Sequence, residues 1–390
     1  MDYQFDEVIE RRGTDSLKWD MTKQRFGKEE LLPLWVADMD FRAPQEVLDA
    51  LHKKVEHGIF GYPAHSEKVD EAVVDWLNRR YKWDIHKESI IYTSGIVPTI
   101  SYIIQAFTEP EDEIIIQTPV YYPFYDVVKK NKRQLVENPL SFDGNTYTMD
   151  LAHLESVITE RTKMIVLCHP HNPVGRVWKR DELEALAAIC KKYDLYVVSD
   201  EIHADLLFKG QTHIPFASLN EDTSKRTFSC LAPSKTFNLA GIQTSYVVID
   251  NRELRNKLSQ HLATSFANMT NSFAGVATEA AYRYGEPWLE SLMEYVEANY
   301  QYVKQYIAEQ MPKMRVLPSE GTYLLWIDCS QLPFSPTERK KWLIDEVGLA
   351  LNPGSIFGKE GNNFERMNIA CPRITIKKAL EKWKNAYDKL

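Results

Sequence analysis

Apolar runs of strand length alternate with amphipathic stretches through the middle of the chain. Residues 113–117 read as a short strand, followed by Thr118-Pro119. Residues 163–168 are a second, ending in His169-Pro170-His171-Asn172. Between this run and the next, 181–193 sets Leu183, Leu186, Ile189, Cys190 and Tyr193 on one face at helical spacing. Residues 195–199 form a third strand ending at Asp200, 226–230 a fourth and 244–249 a fifth. Short strands separated by helices predict a doubly wound α/β sheet, mostly parallel. Ligands of such sheets collect beyond the carboxyl ends of the strands.

The pattern changes in the last third. Residues 287–310 predict one long helix, 315–317 and 323–327 two strands, and 374–387 a terminal helix. This predicts a second, smaller α+β domain. The boundaries expected are an N-terminal segment 1–48 packing with the small domain, a large domain 49–286 and a small domain 287–390.

Composition narrows the class. A chain of 390 residues suffices for two domains, and 44% hydrophobic with 26% charged residues describes an ordinary globular protein. A net charge of -8 gives no footprint for nucleic acid or an anionic membrane. No apolar run approaches a membrane span, and the opening Met1-Asp2-Tyr3-Gln4-Phe5-Asp6-Glu7 lacks a signal-peptide core. Five cysteines without a C-x-x-C pair indicate neither a disulfide framework nor a zinc site. A cytoplasmic setting is the expectation. Cys168 and Cys230, at the ends of strand-like runs, read as buried small hydrophobes.

Three groups at predicted strand ends carry the chemistry: Asn172, Asp200 and Lys235, the last in Ala232-Pro233-Ser234-Lys235-Thr236-Phe237-Asn238. An imine-forming amine, a donor for a ring hydroxyl and an anion for a ring nitrogen are what pyridoxal 5'-phosphate requires. A carboxylate beside the ring nitrogen keeps it protonated through opposite charge. Asp200 suits that place, and Asn172 can present its amide from the Asn-Pro turn. Phosphate needs backbone donors at a helix start. Thr93-Ser94-Gly95-Ile96-Val97 supplies them, with a hydroxyl from Ser234. Tyr121, after the first strand, is the candidate to face the ring. His169 and His171 find no third ligand at usable spacing, so no metal is expected.

These motifs resemble the fold-type I pyridoxal-phosphate enzymes over nearly the whole chain. Leu34-Trp35-Val36-Ala37-Asp38-Met39-Asp40-Phe41, Ser199-Asp200-Glu201-Ile202-His203 and Pro233-Ser234-Lys235-Thr236-Phe237-Asn238 look like the MalY/PatB-type carbon–sulfur β-lyases. So do Gly321-Thr322-Tyr323-Leu324-Leu325-Trp326 and Asn368-Ile369-Ala370-Cys371-Pro372-Arg373. The resemblance implies an aspartate-aminotransferase-like fold with a seven-stranded type of sheet. It implies that Lys235 carries the internal aldimine, Asp200 pairs with the pyridine nitrogen, Asn172 reaches the ring oxygen and Tyr121 stacks on the ring. Gly95, Ile96 and Ser234 would hold phosphate. Arg373 would clamp the substrate carboxylate, with Tyr122 also on the substrate side. Tyr62, in Phe60-Gly61-Tyr62-Pro63, would enter the neighbouring subunit's site, which implies a homodimer with shared sites. His203 stands where many aminotransferases carry a tyrosine near the ring oxygen, so it is counted with the cofactor-binding residues. Gln243 stands where many carry a phosphate-binding arginine.

The expected reaction is α,β-elimination from L-cystathionine or a related cysteine S-conjugate, giving a thiol, pyruvate and ammonia. An aminotransferase uses the same constellation and is the nearest alternative. Some MalY-type proteins also bind a transcription activator, which gives a third, regulatory reading.

Overall fold

The computed structural model describes residues 3–390. Met1 and Asp2, the start of the expected N-terminal segment, lie outside the described residues.

A seven-stranded sheet forms the centre. Its order is Ile90–Thr93, Ser245–Val248, Thr227–Leu231, Tyr196–Asp200, Thr162–Cys168, Glu113–Thr118 and Gln134–Pro139. Ser245–Val248 runs antiparallel to both neighbours, and the other pairings are parallel. The five strands legible in the sequence are all present within a residue or two. The two outermost strands, Ile90–Thr93 and Gln134–Pro139, were not predicted.

The sheet is covered on both faces, and its residues divide by the period of two. Ile114, Ile116, Val166 and Val198 face one core, packed by Ile100, Ile103, Ile104 and Phe107 of the helix Ile96–Phe107. Ile115, Ile165, Leu167 and Val197 face the other, packed by Leu183, Leu186 and Cys190 of the helix Arg180–Lys192. A one-residue slip would exchange the two sets, so burial fixes the register.

A four-stranded sheet orders Arg315–Val316, Leu324–Asp328, Phe364–Asn368 and Asn352–Pro353, all pairings antiparallel. The helices Glu286–Gln310 and Arg373–Tyr387 pack beside it. The N-terminal segment reaches this part through Leu32–Pro33, which pairs parallel with Leu349–Ala350.

From there the chain crosses to the main sheet's carboxyl edge, and a charged clasp holds it. Arg11 contacts Asp38 at 2.8 Å and Asp40 at 2.6 Å. The buried Lys18 ammonium meets Asp40 at 2.7 Å, and Trp19 donates its indole N–H to the same carboxylate. Asn368 donates to the carbonyls of Val36 and Asp38, while Asn238 donates to those of Met39 and Phe41. The stretch 36–41 is thereby fixed over the strand ends.

Candidate active site

A cavity of about 220 Å³ opens where the strands end. It is lined by Lys235, Asp200, Asn172, Tyr121 and His203, with Gly95, Ile96 and Ser234 at another part of its wall. Topology accounts for the meeting. Cys168, Asp200 and Cys230 are aligned across three neighbouring parallel strands, so the segments that follow them emerge together. Asn172 follows the first, Asp200 ends the second, and Lys235 follows the third.

Lys235 is half-buried, and its ammonium donates to the carbonyl of Ala37 in the clasped stretch. Burial lowers its pKa to about 8 against the attraction of Asp38, so it yields its proton far more readily than an exposed lysine. Asp200 is buried, and among the described residues its carboxyl accepts one hydrogen bond, from the Ile202 N–H at 3.2 Å. Burial raises its pKa to about 7, with the Glu201 charge adding to the rise. A carboxyl so poorly solvated favours a cationic or N–H partner in the cavity.

Asn172 accepts at Oδ1 from Arg366 at 3.0 Å, which leaves its NH₂ free to donate. His203 is buried, and its Nδ1 has no hydrogen-bond partner among the described residues. Burial, with Lys235 and Arg366 nearby, pushes its pKa down to about 3 and keeps the imidazole neutral. At the start of the helix Ile96–Phe107, Gly95 occupies the cap without a side-chain hydrogen bond. The first N–H groups therefore face the cavity unshared, as an anion requires. Gln243 also lines this part and brings no charge.

Three expected residues stand elsewhere. Tyr122 packs outside the cavity lining, its ring 5.4 Å from Tyr121 and 6.0 Å from Phe357. Tyr62 lies on an irregular stretch, 92% exposed, and does not line this chain's own cavity. Arg373 requires a correction. It begins the helix Arg373–Tyr387, hydrogen-bonds Asn299 and lies 4.9 Å over the Tyr302 ring, away from the cavity. Its guanidinium is engaged by Asn299 and Tyr302 of the helix Glu286–Gln310.

Sequence reasoning missed Arg366. It is buried in the strand Phe364–Asn368 and bridges Asn172, the Trp35 carbonyl and Asn352, while its Nε has no partner among the described residues. Burial lowers its pKa to about 10, which still leaves it cationic at neutral pH. Its strand reads Phe-Glu-Arg-Met-Asn, with no apolar run to mark it in the sequence. Arginine is rarely fully buried without a partner or a task.

The donor set fits pyridoxal phosphate: an amine, a carboxyl awaiting a cation, a free amide N–H and an open helix start surround one aromatic-walled space. Comparison with known proteins agrees with that geometry. Residues 29–382 match the model of the family described as aminotransferase class I and II. The chain is 41% identical to cystathionine beta-lyase PatB of Bacillus subtilis (strain 168) over 98% of this chain and 99% of that one. It is similar to the structure of cystalysin from Treponema denticola, which contains pyridoxal 5'-phosphate. The TM-score is 0.97 and the identity 35%, with 100% of both chains covered. It is also similar to the PLP-bound C-S lyase from Staphylococcus hominis. Here the TM-score is 0.91 and the identity 33%, covering 99% of this chain and 98% of that one.

Proposed function

Because the chain belongs to the class I and II aminotransferase family, we propose that it is a pyridoxal-phosphate-dependent carbon–sulfur β-lyase. Its substrates are L-cystathionine or related cysteine S-conjugates, cleaved to a thiol, pyruvate and ammonia. The observation that carries this reading is the convergence of Lys235, Asp200 and Asn172 on one cavity against an uncapped helix start. Near-full-length similarity to a cystathionine β-lyase supports elimination as the outcome.

Bound there, pyridoxal phosphate supplies an electron sink for negative charge at the substrate's Cα. Lys235 would hold the cofactor, and the Asp200 carboxyl would keep the proton on its ring nitrogen. The free Asn172 amide would donate to its ring oxygen. Tyr121 would wall the space, and the N–H groups at Gly95 and Ile96 with the Ser234 hydroxyl would receive its phosphate. Arg366 stands just behind the lining, on Asn172, and would take the substrate carboxylate with a fork oriented by Asn172 and Asn352. With substrate in the cavity, the Lys235 amine would remove its Cα proton. Its lowered pKa suits that duty near neutral pH. The Cβ–S bond then breaks, the electron pair leaves with sulfur, and the enamine product takes up water to give pyruvate and ammonia.

Lys235→Ala should abolish pyruvate release from L-cystathionine, with residual turnover below about one thousandth of wild type. Wild-type-like release from that variant would overturn the assignment of Lys235. The alternative within the family is transamination. Stoichiometric pyruvate, ammonia and thiol mark the lyase; a keto acid that keeps its sulfur marks the aminotransferase.

A homodimer in the cytoplasm is the assembly and setting that best suit this reading, with Tyr62 reaching the partner subunit's site. Loop exposure supports it: Ile59, Phe60 and Tyr62 are all exposed apolar side chains on one stretch. Among the described residues, no helix is long and apolar enough to cross a membrane.

A further inference from the structure

Behind Asp200 lies a second buried carboxylate that the mechanism above leaves unused. Glu201 and His213 are both fully buried and meet at 2.8 Å, Oε2 to Nε2. The other Glu201 oxygen accepts from the Ser199 hydroxyl at 2.7 Å and the Phe216 N–H at 3.1 Å. The His169 ring packs 4.3 Å from the His213 ring, and the His169 backbone N–H donates to the Asp200 carbonyl at 2.9 Å.

The protonation state follows from the donors. His213 Nδ1 has no partner among the described residues, so a proton placed there would meet no acceptor. On Nε2 it is donated to Glu201. With the hydroxyl and the backbone N–H, three donors converge on this carboxyl, which is the arrangement of an anion. Burial opposes that charge and raises the Glu201 pKa; it lowers those of His213 and His169. The convergent donors decide for the carboxylate. The ionisable groups facing the pair are Asp200, His169, Cys230, Tyr246 and Tyr81; Tyr81 in turn bonds Asp205 beside Arg80. Among the described residues no cationic side chain pairs with Glu201, and the neutral His213 is its closest donor in the pair.

We propose that Glu201, held ionised by His213, is a positioning residue for the cofactor: a second negative charge behind Asp200 that reinforces protonation of the bound ring system and fixes the corner from which Asp200 projects. This rests on the pyridoxal-phosphate reading of the site.

The test is a pH titration of the visible absorbance of the holoenzyme. An anion near a cationic acid raises its pKa, so Glu201→Gln should lower the midpoint by at least about 0.5 unit. It should also reduce kcat with KM nearly unchanged. His213→Leu removes the donor and should lower the midpoint likewise, whereas His213→Gln keeps an N–H and should stay within about 0.2 unit of wild type. A Glu201→Gln midpoint within about 0.2 unit of wild type, whatever the loss in thermal stability, reduces Glu201 to a packing role and overturns the proposal. If that variant does not fold, equal midpoints for the two His213 variants overturn it. Failure of the cofactor reading is distinct: wild-type protein given pyridoxal phosphate would then develop no pH-dependent visible band.

Discussion

Arg366 and Arg373 share one strand-to-helix passage yet face different surroundings. Arg366 is buried among amide and carbonyl acceptors, and its removal leaves Asn172 and Asn352 without their partner. Each orphaned buried acceptor costs about 1–3 kcal/mol. Arg366→Lys keeps the charge but loses the planar fork. It should lower kcat/KM for cystathionine at least about a hundredfold, or roughly 2.7 kcal/mol in the barrier. Arg373→Ala should change kcat/KM by less than about threefold, because its partners are Asn299 and the Tyr302 ring. Steady-state kinetics on both variants decides between them. Lys235, Asp200 and Asn172 were legible because each follows an apolar strand and carries a group the sheet interior would not tolerate. Arg366 was not, because its strand alternates Phe, Glu, Arg, Met and Asn and offers no apolar run. The motif that drew attention, Asn368 to Arg373, begins just after it. Tyr62 cannot be placed by one chain, since its proposed site belongs to another.

The clasp at the level of elements joins the N-terminal segment to the stretch above the cavity. The helices Leu17–Asp20 and Thr22–Phe26 are too short to be stable alone, so tertiary contacts hold them. Lys18 and Arg11 keep the Asp40 carboxyl below its ordinary 3.8, outweighing the rise that burial alone would cause. A depressed folded-state pKa contributes stability above the unfolded value and loses it as pH falls through the folded one. The clasp should therefore stay closed down to about pH 4 and open only below that. Limited proteolysis across a pH series, following cleavage within residues 11–23, checks this; cleavage rising between pH 6 and 5 would contradict it. The same elements explain what sequence reading left out. Ile90–Thr93 and Gln134–Pro139 lie at the two sides of the sheet, with half-buried or exposed positions that dilute an apolar signal. Glu113–Thr118 is buried throughout and was plain. The antiparallel direction of Ser245–Val248 is set by its neighbours and has no local signature.

For the whole molecule, the proposed shared site makes assembly measurable. If Tyr62 completes the partner's cavity, Tyr62→Ala and Lys235→Ala variants are each inactive for reasons located on different chains. Unfolded together and reassembled with cofactor, half the dimers are mixed and one of their two sites is intact, so activity should return to on the order of a quarter of wild type. No recovery, with mixed dimers present by mass, would place Tyr62 in its own chain's site or outside catalysis. The pairing of Leu32 with Leu349 has a further consequence during synthesis. A ribosome delivers the strands of the main sheet in sequence, and they can dock as they emerge. The segment 32–33 has no sheet partner until 349–350 leave the tunnel, long after the last main-sheet strand at 245–248. The stretch over Lys235 is thus made before that sheet and seated after it, which leaves a newly made chain open to its cofactor in the interval.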